Sequence, residues 1–84
     1  MELYIVYIIY SPTLDKYYVG YTTDIDKRLV DHNSGISSFT SRTKDWGLKF
    51  TEKFSKREEA MARERSIKNK KSRKYIEWLI SSAG

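Results

Sequence analysis

Three side chains of this 84-residue sequence stand where helical periodicity calls for apolar ones. On a wheel of 100° per residue, Ile25 and Leu29 define the apolar stripe of a first helix. His32 falls inside that stripe and Arg28 beside it, while Lys27 and Asp31 point elsewhere. Arg28 and His32 are an i, i+4 pair, so their side chains are neighbours. In a later helix Ala60 and Ile67 define the inner face, and Glu64 lies between them. A lone buried carboxylate is expensive, so such a glutamate is paired or binds a metal. A cation, an imidazole and a carboxylate turned inward bind anions, exchange protons or take a metal ion. Three conflicts of pattern with burial in so short a chain point to a site. The same pattern also fits a satisfied core histidine with Arg28 reaching out to its rim. Glu64 has two structural partners on offer, Lys68 at i, i+4 or Arg28 across the core.

The elements that carry these groups follow from local chemistry. Leu3 to Tyr10 is β-branched and aromatic and apolar on both faces, which predicts a buried strand containing Tyr7. Ser11-Pro12-Thr13 is turn chemistry, and Lys16 to Tyr21 reads as a second, antiparallel strand containing Tyr18. Thr22, Thr23 or Asp24 caps a helix of about Asp24 to Asn33, which Gly35 terminates. Ser34 to Asp45 is polar and reads as an exposed loop, and Trp46 to Phe54 as a third strand. Ser55 with Glu58 forms a capping box for a helix to about Lys70. Ser72 caps a last helix with Tyr75, Ile76, Leu79 and Ile80 inward and Trp78 beside them. Both Trp46 and Trp78 read as core residues. The order is β-β-α-β-α-α, so the expected fold class is α+β, a small three-stranded antiparallel sheet flanked by helices.

Composition sets the outer bounds. A mass of 10.0 kDa allows one domain, residues 1–84. Sixteen Lys and Arg against eleven Asp and Glu give a net charge of +5, which favours anionic partners. The absence of cysteine removes disulfides, zinc fingers and thiol catalysis, and the single histidine removes a multi-histidine metal site. No apolar run approaches the ~20 residues that span a bilayer. The opening Met1-Glu2-Leu3-Tyr4 lacks the basic region of a secretory signal. A cytoplasmic protein that binds no membrane is expected.

Tyr7 and Tyr18 lie eleven residues apart, and Arg28 follows ten residues later. With seven tyrosines in the chain, either one alone reads as an ordinary strand aromatic. Taken in order from Tyr4, Tyr18-Val19-Gly20-Tyr21-Thr22, Asp24-Ile25-Asp26-Lys27-Arg28-Leu29, His32-Asn33-Ser34-Gly35, Thr40-Ser41-Arg42, Trp46, Glu59-Ala60 and Glu64 to Lys68 form a set that covers nearly the whole chain. The sequence resembles the GIY-YIG nuclease family, most closely its small stand-alone bacterial members. It departs from the pattern at Ile5-Val6-Tyr7, where the motif's glycine is absent while the tyrosine is kept. The family's late asparagine has no assigned equivalent, since Asn69 lies very close to Glu64.

The resemblance implies hydrolysis of DNA phosphodiesters in repair or recombination. By that resemblance Tyr7 activates the water, Tyr18 positions the phosphate or the water, and Arg28 favours the phenolate and stabilises the phosphate. His32 relays the proton or holds the water. Glu64 holds one divalent cation, Mg²⁺ with Mn²⁺ able to substitute. Ionising an ordinary tyrosine at pH 7 costs ~4 kcal/mol, so the phenolate needs a nearby cation. Only one carboxylate is well placed, which favours one metal over two. Gly20, inside the Tyr18-Val19-Gly20 motif, also fits an ordinary strand-end glycine.

Arg42 and Lys44 in the polar loop suit phosphate contacts, and Lys68, Lys70, Lys71, Arg73 and Lys74 surround the last helix junction. The latter run also fits a solvated helix end. DNA is the expected partner, with RNA open. With no added DNA-binding domain, specificity is weak or comes from a protein partner, and the chain is a monomer or weak dimer. The competing reading is a non-catalytic nucleic-acid-binding module on the same fold. It has no chemical need for an inward Glu64 in a phosphate cleft, because like charges repel there.

Overall fold

The computed structural model describes residues 3–35 and 40–83. Its order is β1 (Tyr4–Ser11), β2 (Lys16–Thr22), α1 (Ile25–Asn33), β3 (Gly47–Phe54), α2 (Arg57–Lys70) and α3 (Arg73–Ala83), with a short 3₁₀ turn at Thr40–Arg42 before β3. The sheet is antiparallel in the order β2-β1-β3. This is the α+β architecture expected from the sequence.

The central place of β1 explains its unbroken apolar run. Ile5 to Ile9 are all buried, and alternate residues serve opposite faces. Val6 and Ile8 join Val19, Phe50, Ala60, Ile67 and Leu79 in the larger core, on the face covered by α2 and α3. Tyr7 and Ile9 face the other way, into a smaller core with Trp46, Tyr18, Ile25 and Leu29 under α1. Burying each of the larger side chains contributes roughly 1.5–3 kcal/mol. Ile8 pairs with Phe50 and Ile9 with Leu48, so Lys49 bulges from β3 and bends that edge.

The caps agree with the sequence at three helix ends. Asp24 is the N-cap of α1, accepting from the Lys27 N–H at 3.1 Å. Gly35 follows the helix at φ +85°, a conformation that favours glycine. The Ser72 hydroxyl accepts from the Tyr75 N–H at 3.2 Å at the start of α3.

Three expectations need correction. The Ser55–Glu58 capping box does not form: α2 starts later, with Lys56 at the N-cap and no side chain capping it. Glu58 and Glu59 then occupy the first turn, where their charge opposes the helix dipole favourably. Trp78 is not core. It is 59% exposed, because Ile76, Leu79 and Ile80 take the inward arc of α3, and it stacks on Tyr75 at 6.0 Å. Finally, Ser34 to Asp45 is not a plain loop. It contains the 3₁₀ turn, while residues 36–39 of that expected loop lie outside the described residues. Trp46, by contrast, is core as expected, at 3% exposure.

Candidate active site

The site is built outward from the middle of β1. Tyr7 is 1% exposed, and its hydroxyl lies 2.8 Å from Nε2 of His32, which is fully buried. Two anchors hold α1 at this distance. Asp24 caps the N-terminal end. At the other end the Asn33 side-chain amide grips the main chain of Trp46 in both directions. Nδ2 donates to the Trp46 carbonyl at 2.9 Å, and the Trp46 N–H donates to Oδ1 at 2.8 Å. Trp46 is fixed in turn by its neighbour Asp45. That carboxylate accepts from the Ser11 hydroxyl at 2.6 Å, the Thr43 hydroxyl at 2.8 Å, and the Thr13 N–H and hydroxyl at 3.1 and 2.7 Å. These four donors hold the Asp45 carboxyl well below the usual carboxylate range, the Ser11 bond contributing most.

Room for the Tyr7 ring comes from β2. Gly20 is the direct cross-strand partner of Tyr7. A Cβ at Gly20 would fall 2.6 Å from the Tyr7 hydroxyl oxygen and 2.8 Å from the ring carbon bearing it. Gly20 is therefore more than a strand-end residue: its missing side chain is where the phenol sits. The register of the hairpin carries the signal, since it pairs 7 with 20, but it can be read only once the turn is placed.

Arg28, half-buried and one turn before His32, stands beside the same hydroxyl. Burial pushes the Tyr7 phenol above its ordinary value, and the Arg28 guanidinium pulls against that rise without cancelling it. The expectation that Arg28 would favour the phenolate thus holds in sign, but burial outweighs it. Burial also lowers the basicity of His32, the positive charge of Arg28 lowers it further, and Asp31 opposes weakly. His32 is accordingly a neutral imidazole at pH 7.

Tyr18 completes the wall. Its ring meets His32 edge-on at 5.0 Å and lies 6.4 Å from the Tyr7 ring. From α2, Glu64 is near enough for its charge to act on Tyr7. Its Oε2 pairs with Lys68 Nζ at 3.7 Å, and that ammonium stands 5.9 Å from the centre of the Tyr18 ring. Of the two structural partners the sequence offered Glu64, Lys68 is the one that pairs with it. Among the described residues no three histidine, aspartate or glutamate side chains converge as metal ligands would. The structure thus brings together Tyr7, Tyr18, Arg28, His32 and Glu64 from four elements.

The basic residues divide differently from the sequence reading. Arg42 and Lys44 are exposed on the segment before β3. Lys71 is exposed at the end of α2, in the left-handed conformation at φ 49°. Arg73 is occupied: it bonds the Asp15 carboxylate at 2.6 Å, the Asp15 carbonyl at 3.1 Å and Glu77 at 3.2 Å, over the ring of Tyr17. It ties α3 to the β1–β2 turn. Asn33 enters the sequence reading only as a member of the His32-Asn33-Ser34-Gly35 motif and Asp45 only as the end of the polar loop; that they pin α1 and Trp46 is visible only in the structure.

Comparison with known proteins finds relatives similar in sequence and in fold. The UPF0213 protein of Streptococcus pneumoniae serotype 4 is 41% identical over 64 residues, spanning 75% of this chain and 65% of that one. The UPF0213 protein of Halobacterium salinarum is 43% identical over 53 residues, spanning 62% of this chain and 69% of that one. The chain thus matches about two thirds of the length of these relatives. The solution NMR structure of the UPF0213 protein from Bacillus halodurans superposes with a TM-score of 0.62 at 36% identity, covering 98% of this chain and 86% of that one. The model of the GIY-YIG catalytic domain matches residues 3–76, from the approach to β1 into the middle of α3. That span takes in every side chain around the Tyr7–His32 pair, and the chain belongs to the GIY-YIG family.

Proposed function

We propose that this protein is a metal-dependent endonuclease that hydrolyses DNA phosphodiester bonds, with Tyr7 activating the attacking water. The observation that supports it best is the buried hydrogen bond between Tyr7 and a neutral His32, beside the Arg28 guanidinium.

Burial holds the Tyr7 phenol above its ordinary value, which disfavours a resting phenolate, and the His32 contact supplies an alternative. As a water proton passes to the Tyr7 oxygen, the phenol passes its own proton to Nε2 of His32. The hydroxide so formed bonds to phosphorus as the bond to the leaving oxygen breaks, and that oxygen takes up a proton from solvent, matching the one His32 later releases to solvent. The phenol is never left as an anion, which avoids the ~4 kcal/mol cost of ionising it at pH 7. His32 is then an imidazolium next to Arg28, where like charge and burial drive the proton off and reset the pair. Arg28 offers a planar fork of donors to the phosphoryl oxygens as charge builds there. Tyr18 walls the site and limits how the phosphate approaches Tyr7.

One carboxylate fits one Mg²⁺ or Mn²⁺ ion, which takes its other ligands from phosphate and water. Glu64 would hold it, and the ion would polarise the phosphate and steady the leaving oxygen. The Lys68 ammonium must give way to it.

The test is cleavage of labelled linear, nicked and branched DNA in Mg²⁺ or Mn²⁺ against EDTA, for wild type, Glu64→Ala and Tyr7→Phe. Metal-dependent cutting lost in both variants supports the proposal. DNA binding without cutting, unchanged in either variant, would replace it with a non-catalytic binding module.

A further inference from the structure

A groove of about 440 Å³ opens between β2 and the junction of α2 and α3. Val19, Ile67 and Ile76 form its floor, and Tyr18 and Lys68 belong to both groove and active site. The remaining cations on its rim are Lys16, Lys71 and Arg73. The single rim carboxylate, Asp15, is already bound by Arg73.

The pairing of an apolar floor with a cationic rim is the informative feature. A DNA duplex presents phosphates, sugars and groove edges, while its base faces are stacked and closed. Phosphates alone need the lysines but have no use for Val19, Ile67 and Ile76. An unpaired nucleotide offers both halves, a flat apolar base for the floor and a phosphate for the rim. The volume falls in the range of pockets that take small organic ligands. Tyr18 and Lys68 link the groove to the active site around the edge of β2: the Tyr18 ring lies 6.4 Å from the Tyr7 ring, and Lys68 pairs with Glu64.

We propose that this groove seats an unpaired nucleobase next to the reacting phosphate, so that the substrate class is DNA single-stranded at the cut. The proposal rests on the endonuclease reading above and narrows it. The groove reads the base by shape and stacking, which tolerates any sequence.

The test measures affinity in EDTA for three labelled probes: a short single strand, the same strand with every base removed, and the fully paired duplex. The expected result is on the order of ten-fold tighter binding of the intact single strand than of either other probe. Ile76→Trp, which plugs the floor, should abolish that preference and leave the affinity for the baseless strand unchanged. Lys71→Ala should weaken all three probes alike and lower the salt slope by about one. Equal affinity of wild type for all three probes would overturn the proposal. If Ile76→Trp fails to fold, a 2-aminopurine strand decides on wild type: fluorescence altered on binding supports a seated base, and unaltered fluorescence overturns it. Cutting without base preference would remove the groove assignment and keep the endonuclease. Base preference without cutting would remove the endonuclease and keep the groove.

Discussion

The hydroxyl of Tyr7 occupies the space that a side chain at Gly20 would fill. The two residues are cross-strand partners, and a Cβ on Gly20 would approach the phenol oxygen to 2.6 Å. Gly20→Ala must therefore displace the ring or spread the hairpin. Overpacking of this kind costs about 1–3 kcal/mol, and the melting temperature should fall by on the order of 10 °C. In a Tyr7→Ala background the same substitution should be nearly silent. Equal penalties in both backgrounds, read by thermal unfolding, would show that the contact is not the cause.

His32 should make both stability and rate depend on pH in the same direction. In the unfolded chain its imidazole takes a proton near the ordinary value of about 6.5. In the folded chain burial and Arg28 delay that protonation to lower pH. Below about 6.5 the unfolded state therefore binds more protons, and stability falls as the pH falls. The proposed relay also needs a neutral imidazole, so the acid limb of kcat/KM should lie below the ordinary histidine range. No alkaline limb from Tyr7 is expected below about pH 10, because its phenol is shifted upward. His32→Gln should flatten this part of the stability profile and lower kcat by at least about a hundred-fold. Denaturant melts across the pH range, paired with pH–rate profiles, check both.

Asn33 should act as a positioning residue through the main chain of Trp46. Asn33→Ala removes two hydrogen bonds of 2.8 and 2.9 Å to a buried partner. The expected cost is about 1–3 kcal/mol. Loosening α1 also moves His32 relative to Tyr7, so kcat should fall while KM changes little. Asn33→Asp keeps the acceptor for the Trp46 N–H and should recover part of the loss. A fall in KM-controlled rates alone would contradict this role.

Lys68 should compete with the proposed metal ion for Glu64, since the ammonium sits 3.7 Å from the carboxylate. Lys68→Met keeps most of the aliphatic stem and removes the charge. Half-maximal cleavage should then need less Mg²⁺, while affinity for single-stranded DNA should drop. Metal titration of cleavage, beside anisotropy of a labelled strand in EDTA, separates the two effects. A Mg²⁺ requirement unchanged by the substitution would mean that Lys68 does not guard the carboxylate.

Much of this was legible in the sequence. The double-sided apolar run Leu3 to Tyr10 specified the central strand, because only a strand covered on both faces tolerates it. Asp24 and Gly35 bounded α1 through backbone chemistry that acts within a few residues. The 100° step turned Arg28 and His32 inward, and the ordered set from Tyr7 to Glu64 marked the family. These are local or periodic properties, which a linear chain records directly.

Other features depend on distances that no periodicity encodes. Tyr7 meets Gly20 only because the hairpin adopts one register. Arg73 reaches across to Asp15 instead of lying open, and Trp78 falls just outside the inward arc of α3. Whether burial or Arg28 governs the Tyr7 proton is a balance of desolvation against charge, set by how α1 lies on the sheet. The groove beside Tyr18 exists because α2 and α3 meet over the edge of β2. The sequence by itself determined the strands, most helix ends and which residues are candidates for the site. Packing alone decided which of them touch, because contact between elements depends on register and on how helices lie against the sheet.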